Sequence, residues 1–128
     1  MTAVAIDPSA GFIAKARAAV SDPRASFRQG DANSLDLPPA SVDMVVSGLV
    51  LNFIPDRKQA LGEMRRILRP GGTLGFYVWD YPGGGVEFMR AFWTAATALD
   101  PAARDLTEDR RFPFCTPDSL AAALAEAG

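Results

Sequence analysis

The sequence predicts an α/β fold, a parallel sheet flanked by helices, and three observations predict it. Apolar runs alternate along the chain with amphipathic segments, as when strands and helices take turns around a parallel sheet. The 128 residues, 48% of them hydrophobic, suit one compact domain with a real core. The first apolar run, Ala3-Val4-Ala5-Ile6, ends in Asp7 at the mouth of a helix. Ligands of open α/β sheets bind outside the carboxyl ends of strands, where an acid can accept hydrogen bonds from both hydroxyls of a ribose.

The elements follow in order. Ala3 to Asp7 reads as a buried strand. Phe12, Ala16 and Ala19, with Ile13 and Val20 beside them, have helical spacing while Lys15 and Arg17 point elsewhere, which predicts a helix packed on one sheet face. Ala25 to Gln29 is a short strand. Gly30-Asp31-Ala32-Asn33 and the pair Pro38-Pro39 follow it, and neither suits a helix or a central strand. Val42-Asp43-Met44-Val45-Val46-Ser47 reads as a second buried strand.

Asp56 caps the next helix, with Gln59 reaching back from the third position and Ala60, Leu61, Met64, Ile67 and Leu68 as the buried stripe. Pro70-Gly71-Gly72 stops that helix, and Thr73 to Trp79 reads as a strand buried on both faces. Asp80-Tyr81-Pro82 and three glycines then form a mobile loop. Val86 to Leu99 is apolar nearly all round, which predicts a helix deeply covered or facing a ligand pocket. Arg104 to Arg111 reads as a solvated connection, and Thr116-Pro117 offers a cap and a first-turn proline for a last helix ending at Ala127.

Composition narrows the chemistry. Thirteen basic against fifteen acidic side chains give a net charge of −2, without the basic footprint of a nucleic-acid binder. Cys115 is the sole cysteine and there is no histidine, so neither an intrachain disulfide nor a zinc site is expected, and Cys115 reads as a small packing residue. No leader pattern and no run of about 18 apolar residues appears, so the expected setting is cytoplasmic, away from a membrane.

The order Val4-Ala5-Ile6-Asp7, then Gly30-Asp31-Ala32 with Leu37-Pro38, then Val42 to Ser47, then Leu68-Arg69-Pro70-Gly71-Gly72-Thr73-Leu74, resembles the class I S-adenosylmethionine-dependent methyltransferases. The resemblance covers roughly Ala3 to Tyr81, and Phe88 to Phe114 is similar to a subgroup acting on small molecules. It implies a Rossmann-like parallel sheet and S-adenosyl-L-methionine as cofactor. It also implies a cofactor-binding core over 1–81 and a helical segment over 82–128 toward the acceptor pocket.

Carried over position by position, the resemblance gives Asp7, beside Pro8, the ribose hydroxyls, where capping the following helix is the competing role. Asp31 takes the adenine amino group and the Ala32 N–H a ring nitrogen, where an Asx-turn is the alternative for Asp31. Ser47, Gly48 and Leu49 line the methionine end, although Gly48 also serves as a plain turn glycine. Trp79 and Tyr81 are candidate acceptor-pocket walls, and Asp80 is the candidate base for a hydroxyl or phenol, against a turn-initiating role. Phe88, Trp93, Phe112 and Phe114 extend the candidate walls, while Phe88, Phe92 and Leu99 at helical spacing equally describe core packing.

The family pattern also includes a first strand with a glycine-rich turn and two last strands, and neither is present here, so the chain reads as cut at both ends. Three arrangements follow: the strands of Asp7 and Ser47 pair directly into a four-stranded parallel sheet, a partner chain or second copy adds a strand, or the sheet keeps an open slot. A methyltransferase acting on a small molecule is the leading reading. A nicotinamide-dependent oxidoreductase gripping a ribose through Asp7, and a non-catalytic remnant or interaction domain, are the alternatives.

Overall fold

The structure, a computed structural model, describes residues 1–128. It is α/β, with strands β1 (Ala3–Asp7), β2 (Ala25–Gln29), β3 (Val42–Gly48) and β4 (Leu68–Tyr77). The helices are α1 (Ala10–Ala19), α2 (Arg57–Ile67), α3 (Glu87–Leu99), the short α4 (Glu108–Arg111) and α5 (Pro117–Ala127), with 3₁₀ turns at Leu51–Phe53 and Pro101–Leu106. Residues 1–45 with 56–74 form one compact unit, and residues 46–55 with 75–128 form another.

In the first unit β1 and β2 run parallel with Ala3 opposite Ala25 and Asp7 opposite Gln29. The Ala3 N–H donates to the Arg24 carbonyl at 2.8 Å and the Gly30 N–H to the Asp7 carbonyl at 3.2 Å. Ser9 caps α1 by accepting from the Phe12 N–H, and Ile13 is the buried residue of that helix. Phe12 stays exposed, so the predicted stripe is narrower than its spacing suggests. Asp56 caps α2 as the sequence predicts, and Ala60, Leu61, Met64 and Ile67 are buried. Gln59 does not reach back to the cap; its Nε2 donates instead to the Asn33 carbonyl at 3.2 Å.

That bond belongs to a set fixing the segment between β2 and β3. Arg66 donates to the Leu37 and Leu35 carbonyls at 2.9 and 2.8 Å, and to both oxygens of Glu63. Glu63 Oε2 accepts in turn from the Leu35 N–H at 2.9 Å. At the end of α2, the Arg66 and Ile67 carbonyls accept from the Ala40 and Ser41 N–H groups, which starts β3 alongside β4.

The two sheets are each two-stranded, β1–β2 and β3–β4, so of the three expected arrangements the direct pairing of the Asp7 strand with the Ser47 strand does not occur. Strands paired on one edge only bury less of their faces. Accordingly β1 and β3 are not the buried strands their composition suggests: Met44 is 62% and Val46 75% exposed. The predicted strand Thr73–Trp79 instead spans Leu68–Tyr77, passing through Pro70-Gly71-Gly72. Gly71 makes this possible at φ +78°, a conformation side-chain-bearing residues resist. A Cβ on Gly72 would lie 3.0 Å from the Asp43 carbonyl oxygen on β3. Thr73 and Tyr77 are exposed, so β4 is not covered on both faces.

In the second unit Leu51, Ile54, Val86, Phe112 and Cys115 form the buried cluster, with Phe112 against Phe53 and Tyr81 at ring separations of 5.4 and 5.5 Å. Cys115 is buried, as a packing residue should be. The predicted deep cover of α3 is absent. No residue of α3 is buried, and Phe88, Phe92 and Leu99 are 68%, 57% and 89% exposed. Residues 104–111 comprise the end of a 3₁₀ turn and a one-turn helix, and their arginines are exposed, as a solvated connection requires. Thr116 caps α5 with Pro117 in its first turn. No helix is long and apolar enough to cross a membrane.

The Glu63 carboxyl is held down to about 2 by its hydrogen bonds from Arg66 and then from the Leu35 N–H, against an ordinary value of 4.5. A depressed carboxyl stabilises the fold above its unfolded pKa, and that contribution is lost as pH falls through the folded value. Urea unfolding between pH 4.5 and 2 should therefore show a steeper loss of stability in the native chain than in Glu63→Gln. Parallel pH profiles would exclude the clamp as a stabilising element.

Candidate functional site

Asp7 stands at the carboxyl end of β1 and Asp31 two residues beyond the end of β2, so the parallel register brings both acids to the same end of this sheet. Asp7 does not cap α1. Its Oδ1 accepts from the Ser9 N–H at 2.7 Å, and Ser9 performs the capping. Asp31 forms an equivalent turn, with Oδ1 accepting from the Asn33 N–H at 2.8 Å. Each turn fixes one carboxylate oxygen and leaves Oδ2 outside the protein's own hydrogen bonds. Between them lies Gly30, where a Cβ would sit 2.9 Å from Ile6 Cγ2, and Gln29 Nε2 donates to the Pro8 carbonyl at 3.0 Å, tying the two strand ends together. The Asn33 Oδ1 atom beside Asp31 is buried without a hydrogen-bond partner. Residues 7–9 and 30–33 thus carry three acceptors with unmet capacity, a surface suited to a ligand rich in hydroxyl and amino donors.

In the second unit Ser47 and Gly48 end β3, and the Leu49 N–H donates to the Tyr77 carbonyl at 2.9 Å. Leu49 sits at φ +56°, the left-handed region that a leucine adopts at a cost of about 1–2 kcal/mol. The group that approaches Gly48 is the Tyr77 phenol: a Cβ there would lie 2.6 Å from Oη and 2.7 Å from Cζ.

Beyond β4, Asp80 begins a tight turn. Its Oδ1 accepts from the Gly83 N–H at 2.7 Å and its carbonyl from the Gly85 N–H at 3.1 Å. A Cβ on Gly83 would lie 2.1 Å from Asp80 Oδ2, so a side chain there would displace the Asp80 carboxylate from this wrap. The structure thus gives Asp80 the turn-initiating role. The glycine loop borders two clefts. One, of about 560 Å³, includes Tyr81, Trp93, Arg90, Arg104 and Glu108 in its lining. The other, of about 450 Å³, has Trp79 and Phe88 in its wall. Of the remaining candidate walls, Phe112 is buried in the core and Phe114 is half-buried. Burial, then the nearby Glu108 charge, pushes the Tyr81 phenol up, so it stays protonated at neutral pH. Sequence reading passed over Arg90 and Thr97 and took Arg104 as part of a solvated connection. The available signal was the polar spacing Arg90, Thr94, Thr97 on a helix read as apolar.

A family model described as a methyltransferase domain matches residues 1–76. The chain belongs to the methyltransferase domain family. A probable S-adenosylmethionine-dependent methyltransferase of Mycolicibacterium smegmatis is 45% identical over 51 residues, 40% of this chain and 20% of that protein. A demethylmenaquinone methyltransferase of Roseiflexus castenholzii is 34% identical over 114 residues, 82% of this chain and 48% of that protein. The fold matches a solved S-adenosylmethionine-dependent methyltransferase of Thermotoga maritima with a TM-score of 0.70 at 23% identity, over 98% of this chain and 53% of that one. The chain spans about half or less of the length of these curated relatives. S-adenosylmethionine is the cofactor of this methyltransferase family, and the nicotinamide oxidoreductase reading finds no support among these relatives.

In this methyltransferase domain the Gly48–Tyr77 contact is directly testable. Gly48→Ala must push the exposed Tyr77 ring aside and should lower stability by about 1 kcal/mol, the low end of the cost of overpacking. Combining it with Tyr77→Ala should recover much of that loss in a double-mutant cycle read by thermal melting. Strict additivity would refute the contact.

Proposed function

We propose that this chain supplies the S-adenosylmethionine site of a methyltransferase acting on a small molecule. The observation that carries the reading is the pair of acidic turns at the end of the β1–β2 sheet, each with an unengaged carboxylate oxygen. Asp7, beside Pro8, accepts from the ribose hydroxyls. Asp31 accepts from the adenine amino group while the Ala32 N–H meets a ring nitrogen. The unmet acceptor on Asn33 supports a donor-bearing ligand in the same turn. Ser47, Gly48 and Leu49 border the methionine end. In this division, 1–81 binds cofactor and 82–128 leads to the acceptor, with the cytoplasm as setting.

When bound, the cofactor supplies an electrophilic methyl on a sulfonium, so the protein's task is mainly orientation in a water-poor site. The acceptor's lone pair forms the new bond to the methyl carbon, the carbon–sulfur pair returns to sulfur, and any acceptor proton leaves to water. Trp79 and Tyr81 exclude water along the two clefts. Asp80, with Oδ1 held by the Gly83 N–H, would take a proton through Oδ2, and an acceptor that is already nucleophilic needs no base. A second strand-edge partner, including a further copy of this chain, would find the unpaired edges of β1 and β3 available.

A two-dimensional NMR titration with S-adenosylmethionine tests this. Saturable shifts at Asp7, Asp31 and Ala32 are expected, with Asp7→Ala and Asp31→Ala each weakening affinity about 10- to 100-fold, the scale of a hydrogen bond to a charged group. A dispersed spectrum that the cofactor leaves unchanged would sink the reading.

A further inference from the structure

The two clefts of the second unit differ in charge. Opposed charges line the larger one, Arg90 and Arg104 against Glu108 and Asp109 with Arg110 paired to Asp105, so it favours neither sign of ligand. The smaller, of about 450 Å³, is walled by the side chains of Trp79, Val86, Glu87 and Phe88 and by the backbone of Gly84 and Gly85. Its one charged side chain is Glu87, in the first turn of α3, and that carboxylate enters no ion pair. Arg90, one turn further along α3, lines the larger cleft instead. A second acid stands behind the wall, since a Cβ on Gly85 would lie 3.6 Å from Asp80 Cβ.

The rings complete the chemistry. Trp79 and Phe88 are exposed, and neither packs on another aromatic ring, whereas Phe53, Tyr81, Phe92, Trp93 and Phe112 all do. The face of an aromatic ring is the negative part of its quadrupole and attracts a cation, most strongly on tryptophan. The helix dipole by itself favours an acid at the position of Glu87, but it gives no reason for two unpaired rings beside that acid. A cleft in the size range of small-molecule sites, with two free ring faces, one carboxylate and no base, selects a positive ligand with an apolar body. We propose that this cleft binds a small organic ammonium, with Trp79 and Phe88 against its alkyl groups and Glu87 as its counter-charge. The inference rests on the methyltransferase reading for the role of such an amine as methyl acceptor, and stands apart from it for the binding itself.

The test uses the full chain, ¹⁵N-labelled, titrated with choline at constant ionic strength, with 3,3-dimethyl-1-butanol, its uncharged carbon analogue, as the control. Each cleft holds one tryptophan, so the two indole N–H signals distinguish them, and the signal lost in Trp79→Phe is that of the smaller cleft. Choline should shift the Trp79 signal saturably and leave that of Trp93 in place, and the alcohol should bind at least about threefold more weakly. Glu87→Gln, which removes the charge, and Phe88→Leu, which keeps an apolar wall without the aromatic face, should each weaken choline binding about three- to tenfold. The proposal is overturned if choline leaves the Trp79 signal unmoved or shifts only that of Trp93, or if the alcohol binds equally well. It is also overturned if Glu87→Gln and Phe88→Leu, both still dispersed in their spectra, bind choline like the native chain. S-adenosylmethionine is titrated separately: shifts at Asp7 and Asp31 without choline binding would reject the ammonium cleft alone, and the converse would reject the cofactor site alone.

Discussion

The Glu63–Arg66 pair on α2 is the constraint on which the first unit depends. The stretch from Asp31 to Ser41 contains no helix and no named strand, so its backbone groups need partners from elsewhere. Arg66 supplies donors to two of its carbonyls, Glu63 an acceptor to one of its N–H groups, and Gln59 a donor to a third carbonyl. The same helix end then hands its carbonyls to Ala40 and Ser41 and sets where β3 begins. Ala40 holds φ +49° at that junction, a strained state that its N–H bond to the Arg66 carbonyl offsets. One helix surface therefore fixes both the acidic turn of Asp31 and the start of the second sheet.

Within each unit, acids at or beyond strand ends are held by turns rather than by regular elements. Asp7, Asp31 and Asp80 each use one carboxylate oxygen to accept from a backbone N–H two or three residues on. This fixes the carboxylate and orients its second oxygen. For Asp80 the wrap is so close that a side chain on Gly83 would push the carboxylate out of it. For Asp7 and Asp31 the second oxygen is outside any such wrap, and the neighbouring Asn33 adds an unmet acceptor. The same local motif thus fixes an acid in all three places, and what differs is its surroundings.

α3 shows how composition misleads when the apolar stripe of an amphipathic helix is left uncovered. A helix of Phe, Ala, Leu and Thr reads as core, yet its Phe88, Phe92 and Leu99 stripe is exposed and its Arg90, Trp93, Thr94 and Thr97 stripe faces a cleft. The polar hydrogens along that stripe are held by the helix itself or by Glu108, which leaves the arginines as the charged donors of the cleft.

Local chemistry in the sequence determined what depends on a few consecutive residues. The cap of α2 by Asp56, the Thr116-Pro117 start of α5, the buried stripe Ala60, Leu61, Met64 and Ile67, and the acids closing β1 and following β2 were all legible from spacing and residue type. Tertiary structure alone decided the rest. Strand burial depends on how many neighbours a strand acquires, which composition does not encode, so β1 and β3 looked buried and are half open. The passage of β4 through Pro70-Gly71-Gly72 depends on the close fit of Gly72 to Asp43, the diversion of Gln59 on the nearness of Asn33, and the approach to Gly48 on the Tyr77 ring. Each is a contact between residues far apart in the chain, and a periodicity read along the chain carries no record of distance across it.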